Sequence, residues 1–320
     1  MNGIVRSICL SDRKGVPKKQ VDSAELIADH GLAGDAHAGP WHRQVSLLGL
    51  ADFTGMQRRL PDLRFGAFAE NLVIEGIACG SLGLGSRLRF DTGAAVRISQ
   101  IGKVCHTPCA ISHASGDCIL PRVGLFARAV AGGLIRVGDR VEVVEYVDRQ
   151  RLQAVVLTVS DRCSRGLMHD TAGPAVGALL EGRLGACVYA TEVIPDEVDV
   201  IAARLAHYSN GHSIDLVVTV GGTGFSPRDV TPEATRSVIE RFAPGLDEVM
   251  RAAGQARTEH ALLSRGVSGI RGGTLIVNVP GSERAACESI GAILPGLEHG
   301  LRKLRGDSSD CGRPLARSEE

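Results

Sequence analysis

A run of apolar and β-branched residues, 214–220, leads into the glycine-rich segment 221–224 and then into Thr231-Pro232-Glu233. The run is typical of a buried strand. Thr231 and the proline after it predict a helix with a cap and a first-turn proline. A strand, a glycine loop and a helix N-terminus in this order can cradle an anion, because the backbone N–H groups can approach it closely. A tight turn without a ligand is the alternative.

The second half of the chain, from residue 153, repeats this alternation of strand and helix. Each of four apolar runs is followed by a segment with helical character; the predicted strands are 154–159, 188–194, 214–220 and 274–279. Strands joined by helices predict a parallel sheet covered on both faces, hence a three-layer α/β domain with a mostly parallel sheet. The loops that follow the strands then meet at one edge of the sheet, where ligands bind in such folds.

Two carboxylates stand in these loops. Asp229 follows the glycine segment, where it could hold a magnesium ion beside a phosphate. Asp196 follows the second strand and has two interpretations, a group that faces the same phosphate or a helix N-cap with Asp199 at the third position. Nucleotidyl transfer needs positioning and charge neutralisation more than covalent chemistry. The residues therefore predict an α/β domain that binds a phosphorylated ligand with magnesium.

The first half has short alternating segments broken by glycine, among them 96–101 and 134–147 with a turn at Gly138-Asp139. Helices are predicted only at 46–59 and 124–131. This pattern is typical of a mainly β, barrel-like domain. The charged segment 148–151 is the predicted link, which gives domains at 1–147 and 152–306. The polar tail 307–320 is predicted to be disordered.

Composition excludes several classes of function. The 36 basic and 36 acidic residues balance, which gives no electrostatic case for nucleic acid or a membrane surface. No apolar run approaches the roughly 20 residues that span a bilayer. The N-terminal residues do not have the pattern of a signal peptide. The nine cysteines have no disulfide-scaffold spacing, which predicts reduced thiols and a cytoplasmic location.

Three cysteines cluster in the first half, at Cys105, Cys109 and Cys118. A zinc site is one interpretation, but the spacing lacks a matching second pair of ligands. A reactive thiol beside Lys103, Arg122 or a histidine is another, because nearby positive charge lowers a thiol pKa. Buried thiols that act as small hydrophobic residues are the third.

The motifs of the second half resemble a known family. They run in order from Val-Ser-Asp-Arg, ending at Arg162, through Ile-Pro-Asp-Glu, ending at Glu197, to the glycine segment with Arg228-Asp229 and Val-Asn-Val-Pro-Gly, ending at Gly281. Over 153–306 the chain is similar to the Mog-type molybdopterin adenylyltransferases, which join AMP from ATP to the terminal phosphate of molybdopterin. The resemblance implies magnesium and a homotrimer. It implies catalytic and magnesium-binding roles for Asp196 and Asp229. It also implies a substrate site lined by Ser160, Asp161, Gly221, Gly222, Thr223, Gly224, Ser264, Arg265, Asn278, Pro280 and Gly281.

The loops of the first half are similar to the MOSC domain, a β-barrel type of domain named after molybdenum cofactor sulfurases. They comprise 31–46, 66–72 and the segment from Gly102 to Cys118. The resemblance implies binding of pterin or molybdenum cofactor and a sulfur-carrying cysteine. Cys109 is the first choice, with Cys105 and Cys118 open. A sulfur donor or a molybdenum-insertion protein is the expected partner. A carrier that binds pterin without turnover, and a hydrolase of another nucleotide, are the alternatives.

Overall fold

The computed structural model describes residues 1–102, 119–210 and 213–308. The described chain divides into two compact units, one formed mainly by Met1–Gln153 and the other by residues from Ala154 onward. Cys105, Cys109, Cys118 and the tail beyond residue 308 lie outside the described residues, so the predictions made for them stay predictions.

The first unit is a closed β-barrel. Its strands are β1 (Asn2–Leu10), β2 (Lys19–Val21), β3 (Ser23–Ile27), β4 (Gly31–Leu32), β5 (Val45–Gly49), β6 (Leu72–Glu75), β7 (Arg87–Phe90), β8 (Ala95–Ile101), β9 (Leu125–Ala131), β10 (Gly133–Arg136) and β11 (Arg140–Glu145). The barrel order is β11-β7-β8-β9-β5-β6-β1, and β11 also pairs with β1 to close it. Two short helices, α1 (Leu50–Gln57) and α2 (Leu120–Val123), and a three-stranded sheet β10-β3-β4 complete the unit. The prediction of a mainly β, barrel-like domain is confirmed.

Alternation of buried and exposed residues along each strand explains the barrel. In β7 the exposed Arg87 and Arg89 alternate with the buried Leu88 and Phe90. The buried side chains fill the interior, which removes apolar surface from water at roughly 25 cal/mol per Å². Closure pairs the edges that an open sheet would expose.

Both helices predicted in this half need correction. Residues 124–131 form strand β9, because Leu125–Ala131 pairs with β8 and β5 on both sides and the barrel overrides the helix propensity of its alanines. In 46–59 only Leu50–Gln57 is helical, and Val45–Gly49 is the buried strand β5. The turn at Gly138 is confirmed, but the strands that flank it join different sheets.

The second unit is an α/β fold with a mixed sheet. Its strands are β12 (Gln153–Val159), β13 (Cys187–Ile194), β14 (Leu216–Val220), β15 (Arg241–Phe242), β16 (Ser268–Arg271) and β17 (Thr274–Val279), in the order β13-β12-β14-β17-β16-β15. Its helices are α3 (Asp161–Ser164), α4 (Ala172–Leu184), α5 (Val198–Ser209), α6 (Thr231–Val238), α7 (Pro244–Gln255) and α8 (Glu283–Leu304). The four predicted strands are all present.

The last two strands at one end of this sheet, β16 and β15, were not predicted. The central strands β12, β14 and β17 are parallel, whereas β16 and β15 run antiparallel to their neighbours. A two-glycine turn at Gly272-Gly273 joins β16 to β17. Strand β16 is too short for the periodicity of a strand to be recognised in the sequence. Of the helices that the structure describes, none is both long and apolar enough to cross a membrane.

Candidate functional site

Three strand-ending loops of the second unit meet at Gly221. Its φ is +109°, and a Cβ on it would lie 2.4 Å from the carbonyl oxygen of Val159 at the end of β12. The Cα of Gly281, after β17, lies 3.7 Å from the same position. No side chain fits between these backbones, so glycine is required here. The ends of β12, β14 and β17 are thus packed together, which assembles the predicted edge of the sheet.

The glycine loop is tied to the start of helix α6. The N–H of Gly221 donates to the carbonyl of Val279 at 3.0 Å, and the N–H of Thr231 donates to the carbonyl of Gly222 at 3.1 Å. Helix α6 begins at Thr231, and its N-cap is Val230. The prediction that Thr231 caps the helix is therefore wrong, since its hydroxyl makes no cap hydrogen bond.

Asp161 and Asp196 hold each other through reciprocal hydrogen bonds. The N–H of Asp161 donates to Oδ2 of Asp196 at 2.7 Å, and the N–H of Asp196 donates to Oδ1 of Asp161 at 3.2 Å. Arg228 donates from Nε and from its terminal nitrogen to Oδ2 of Asp161, at 3.0 and 2.6 Å. This hydrogen-bonded guanidinium lowers the pKa of Asp161. Ser160, which precedes the pair, accepts the N–H of Cys163 and so caps helix α3.

Asp196 lies in an environment that disfavours its charge. Burial raises the pKa of Asp196, and the negative charges of Asp161 and Asp229 raise it further. Arg228 is the cation that opposes this effect. A carboxylate held among like charges gains from a bound cation, which is the electrostatic setting of a magnesium ligand.

Asp229 lies against another glycine of the loop, Gly224. Its Oδ2 accepts the N–H of Ser226 at 3.0 Å and would lie 2.8 Å from a Cβ on Gly224. Oδ1 of Asp196 would lie 3.1 Å from a Cβ on Gly222. The loop therefore carries one carboxylate beside each of two glycines. Within the described ranges no group of three or more His, Cys, Asp or Glu side chains could hold a metal, so the candidate donor set has two carboxylates. Magnesium commonly takes one or two carboxylates and completes its shell with phosphate and water.

Arg265 holds the loop itself. Its Nε donates to the carbonyl of Gly224 at 2.8 Å, and its two terminal nitrogens donate to the carbonyl of Asp229 and to Oε1 of Glu233, each at 2.5 Å. Partial burial alone would raise the pKa of Glu233, but the hydrogen bond from Arg265, a backbone hydrogen bond and the charges of Arg265 and Arg236 together outweigh burial and lower that pKa. The resemblance implied that Arg265 lines the substrate site. Its contacts show that it holds the loop, and its place in the substrate site stays a prediction.

We expect Arg265→Lys to lower turnover by about 10²-fold, because one ammonium cannot replace three donors and a misplaced loop misaligns the reacting groups. The change should act mainly on kcat, measured with saturating substrates. Arg236→Lys is the matched control, since Arg236 lies 3.8 Å from the same Glu233 and is half exposed. Equal losses in the two variants would contradict a specific role for Arg265.

Asn278 is also used inside the protein. Its Nδ2 donates to Oγ1 of Thr219 at 2.8 Å and to Oγ1 of Thr235 at 2.9 Å, and its Oδ1 accepts the N–H of Val267 at 3.1 Å. This buried network links β14, β17 and helix α6. The amide therefore fixes the position of the helix N-terminus against the sheet.

A cavity of about 500 Å³ opens beside the glycine loop. Of the predicted residues, those on its wall are Gly222, Thr223, Gly224, Asp229, Ser264, Asn278, Pro280 and Gly281. Ser160, Asp161 and Asp196 belong to the neighbouring carboxylate group, and Gly221 and Arg265 make hydrogen bonds that hold the loop. The structure thus brings the wall residues together at one cavity, and the functional roles of the whole predicted set stay predictions.

The opposite wall of this cavity was missed by sequence reasoning. It is formed by Asp247, Met250 and Arg251 of helix α7, with Thr258 and His260 after it. Asp247 is buried and accepts both the N–H and the hydroxyl of Ser268, at 3.0 and 2.6 Å. Burial raises its pKa. In the sequence, the one hint of this surface was the acidic residue Asp247 itself. Only the packing of helix α7 shows that its side chain is buried.

The first unit contains a buried ion pair at its glycine-rich loop. Nζ of Lys18 lies 2.7 and 2.6 Å from the two carboxylate oxygens of Asp35, and both side chains are almost fully buried. Asp35 also accepts the N–H groups of Ser11 and His37. The pair therefore anchors the loop that the MOSC resemblance had indicated.

The polar side chains of the second MOSC-like segment, 66–72, also make hydrogen bonds inside the fold. The buried Glu70 accepts the N–H groups of Gly66 and Phe68, and Asn71 donates from Nδ2 to the carbonyl of Cys9. Oδ1 of Asn71 accepts the hydroxyl of Ser46 at 2.9 Å. These polar side chains satisfy buried backbone groups, which is their structural function.

The two cysteines described in the first unit have raised thiol pKa values, which predicts low reactivity. Burial raises the pKa of Cys9 to about 11 and that of Cys79 to about 12. We expect iodoacetamide at about pH 8 to modify them at least roughly a hundredfold more slowly than a free thiol, because so little thiolate is present. Peptide mass spectrometry over time measures this, with the half-buried Cys163 of helix α3 for comparison. Rapid labelling of Cys9 or Cys79 in the folded protein would contradict the expectation.

Comparison with known proteins identifies the family of the chain. Residues 155–299 match the model described as a probable molybdopterin binding domain, and residues 34–142 match the MOSC domain. The chain is 36% identical over 159 residues to a molybdopterin adenylyltransferase of Helicobacter pylori, of which it covers 90%. The chain belongs to the molybdopterin-binding domain family.

Other members of this family are larger or smaller than the chain. It is 41% identical over 154 residues to the molybdenum cofactor synthesis protein cinnamon of Drosophila melanogaster, of which it spans 26%. Among solved structures, it is similar to the molybdopterin biosynthesis enzyme MoaB of Thermus thermophilus, with 46% identity, coverage of 48% of this chain and 97% of the other, and a TM-score of 0.46. The chain thus spans about a quarter of the length of the cinnamon protein.

Proposed function

We propose that the second unit transfers AMP from ATP to the terminal phosphate of molybdopterin and releases pyrophosphate, in the biosynthesis of molybdenum cofactor. The observation that carries the proposal is the pair of carboxylates, Asp196 and Asp229, each beside a different glycine of a loop that lines a cavity of about 500 Å³. A cavity of this size suits a small-molecule ligand. The name of the Helicobacter pylori relative, molybdopterin adenylyltransferase, supports the choice of substrates.

The residues can supply what this transfer needs. A bond forms between an oxygen of the pterin phosphate and the α-phosphorus of ATP, and the bond from that phosphorus to the pyrophosphate oxygen breaks. A phosphate monoester is largely dianionic at neutral pH, so the attacking oxygen needs no general base. The chain's contribution is then to bind, to align and to neutralise charge.

Each group has a position suited to one of these tasks. The backbone of the glycine loop and the N-terminus of helix α6 (Thr231–Val238) would hold phosphate oxygens. Asp196 and Asp229 would hold a magnesium ion, which when bound offsets the negative charge of the phosphates. Arg265 keeps the loop in place through the carbonyls of Gly224 and Asp229. The cavity wall from helix α7 would enclose the pterin.

The test is a direct assay with the full chain. The protein is incubated with molybdopterin, ATP and magnesium chloride, and adenylylated molybdopterin and pyrophosphate are measured by mass and by a coupled assay. Product from the wild type and none from Asp229→Asn supports the proposal. Tight pterin binding with no product would favour the carrier. ATP cleavage that does not depend on pterin would favour a hydrolase.

We further propose that the MOSC unit binds pterin or molybdenum cofactor and that Cys109 carries sulfur received from a donor protein. Cys9 and Cys79 are buried in the described part of this unit, which leaves the cluster of Cys105, Cys109 and Cys118 as the thiols to test.

A homotrimer formed through the second unit and a cytoplasmic location complete the proposal. Sedimentation equilibrium of the full chain tests the trimer, and mass spectrometry of Cys109→Ser after incubation with a persulfide donor tests the sulfur role.

A further inference from the structure

The hydroxyl of Thr231 is a buried polar group that has no hydrogen-bond partner among the described residues. Thr231 is fully buried, and its Oγ1 makes no hydrogen bond to any group in the part of the chain that the structure describes. It does not cap helix α6, because the N-cap is Val230. Burying a hydroxyl without a hydrogen bond costs free energy, so such a group in a native fold calls for an explanation.

The hydroxyl faces the candidate magnesium site. A Cβ on Gly222 would lie 2.3 Å from Oγ1 of Thr231 and 3.1 Å from Oδ1 of Asp196. Both oxygens therefore lie next to the Cα of Gly222, which has no side chain to separate them. Gly222 itself lines the cavity. Its φ of +63° and the space taken by Oγ1 both exclude a larger residue.

We propose that Oγ1 of Thr231 is a third protein ligand of the magnesium ion, beside the carboxylates of Asp196 and Asp229. This inference rests on the proposed function, which places magnesium at those carboxylates. A hydroxyl oxygen is a hard, neutral ligand of the kind that magnesium accepts. It adds a donor without adding to the negative charge already present on Asp161, Asp196 and Asp229. The bound ion would satisfy the oxygen that the folded protein alone leaves unpartnered.

The same helix offers a matched control. Thr235, four residues after Thr231, is also fully buried, but its Oγ1 accepts a hydrogen bond from Nδ2 of Asn278 at 2.9 Å. Removing the hydroxyl of Thr235 breaks a structural hydrogen bond, whereas removing that of Thr231 removes an unsatisfied group. The two Thr→Val changes are therefore expected to move stability in opposite directions.

The experiment measures manganese binding and thermal stability in the full-length protein. Mn²⁺, titrated in the presence of a non-hydrolysable ATP analogue and followed by electron paramagnetic resonance, is the probe. We expect Thr231→Val to weaken Mn²⁺ binding by about 10-fold or more and to leave the Tm of the metal-free protein equal to or above that of the wild type. Thr231→Ser should keep the affinity. Thr235→Val should lower Tm, because it breaks the hydrogen bond from Asn278.

Three outcomes decide between the possibilities. Weaker Mn²⁺ binding in Thr231→Val, Asp196→Asn and Asp229→Asn, with normal binding in Thr231→Ser, supports the ligand. Normal binding in Thr231→Val while both aspartate variants bind weakly overturns the role of Thr231 alone. Normal binding in all of them removes magnesium from the carboxylates, which overturns both this inference and the proposed function of Asp196 and Asp229.

Discussion

Asp196→Asn is expected to lower kcat for adenylyl transfer by about 10³-fold, because it removes a negative charge that would hold the metal and leaves the size of the side chain almost unchanged. The amide oxygen can still accept the N–H of Asp161, the bond that is 2.7 Å long in the wild type. The fold should therefore survive, and the loss should lie in turnover. Initial rates of product formation over a range of magnesium concentrations measure it.

The control for this variant is Asp199→Asn. Asp199 is an exposed carboxylate in the first turn of helix α5, three positions after Asp196. The Asp199→Asn variant should leave turnover unchanged. It removes the same charge on the same segment, but from a carboxylate that is not next to the glycine loop. A fall of less than about tenfold in Asp196→Asn would contradict the metal-holding role, since a charged ligand of the transition state contributes several kcal/mol.

Asp35→Asn is expected to lower the free energy of unfolding of the first unit by about 3–5 kcal/mol, because it leaves the ammonium of Lys18 buried without its partner. Trp41 is the chain's one tryptophan and donates from Nε1 to the carbonyl of His37, close to the pair. Its fluorescence during urea unfolding therefore reports on this unit. Asp29→Asn is the control, since Asp29 pairs with Arg128 at the surface, where such pairs contribute about 0–1 kcal/mol. Similar losses in both variants would contradict the argument.

The same pair predicts how stability depends on pH. Burial alone would raise the pKa of Asp35, but hydrogen bonds from His37 and Lys18 outweigh it and hold that pKa well below its usual range. As the pH falls, the unfolded chain protonates Asp35 first. The contribution of Asp35 is therefore complete above the ordinary pKa of an aspartate and is lost only as the pH falls towards the lower folded value. In Asp35→Asn this part of the acid dependence should disappear.

Local chemistry made much of the second unit predictable from sequence. The four predicted strands are apolar runs, and Gly221, which follows one of them, is required where backbones meet, against the carbonyl of Val159. The carboxylates were identifiable because Asp196 closely follows the end of β13 and Asp229 follows the glycine segment after β14. Pattern and loop chemistry act over a few residues, and so they can be read without the fold.

Long-range pairing decided what those patterns could not. Residues 125–131 are a strand because two barrel neighbours pair with them, and their own composition favoured a helix.

The sequence by itself determined the two fold classes, the glycine loop and the two carboxylates, because these depend on residue type and spacing. Only the tertiary structure decided the direction of each side chain. It turned Arg265 onto the carbonyls of Gly224 and Asp229 and brought Arg251 of helix α7 to the cavity wall. It also placed the hydroxyl of Thr231 beside Gly222, where no group in the described ranges of the chain hydrogen-bonds to it. Each of these contacts joins residues that are distant in the chain or separated by a turn, so packing sets them and local propensity does not.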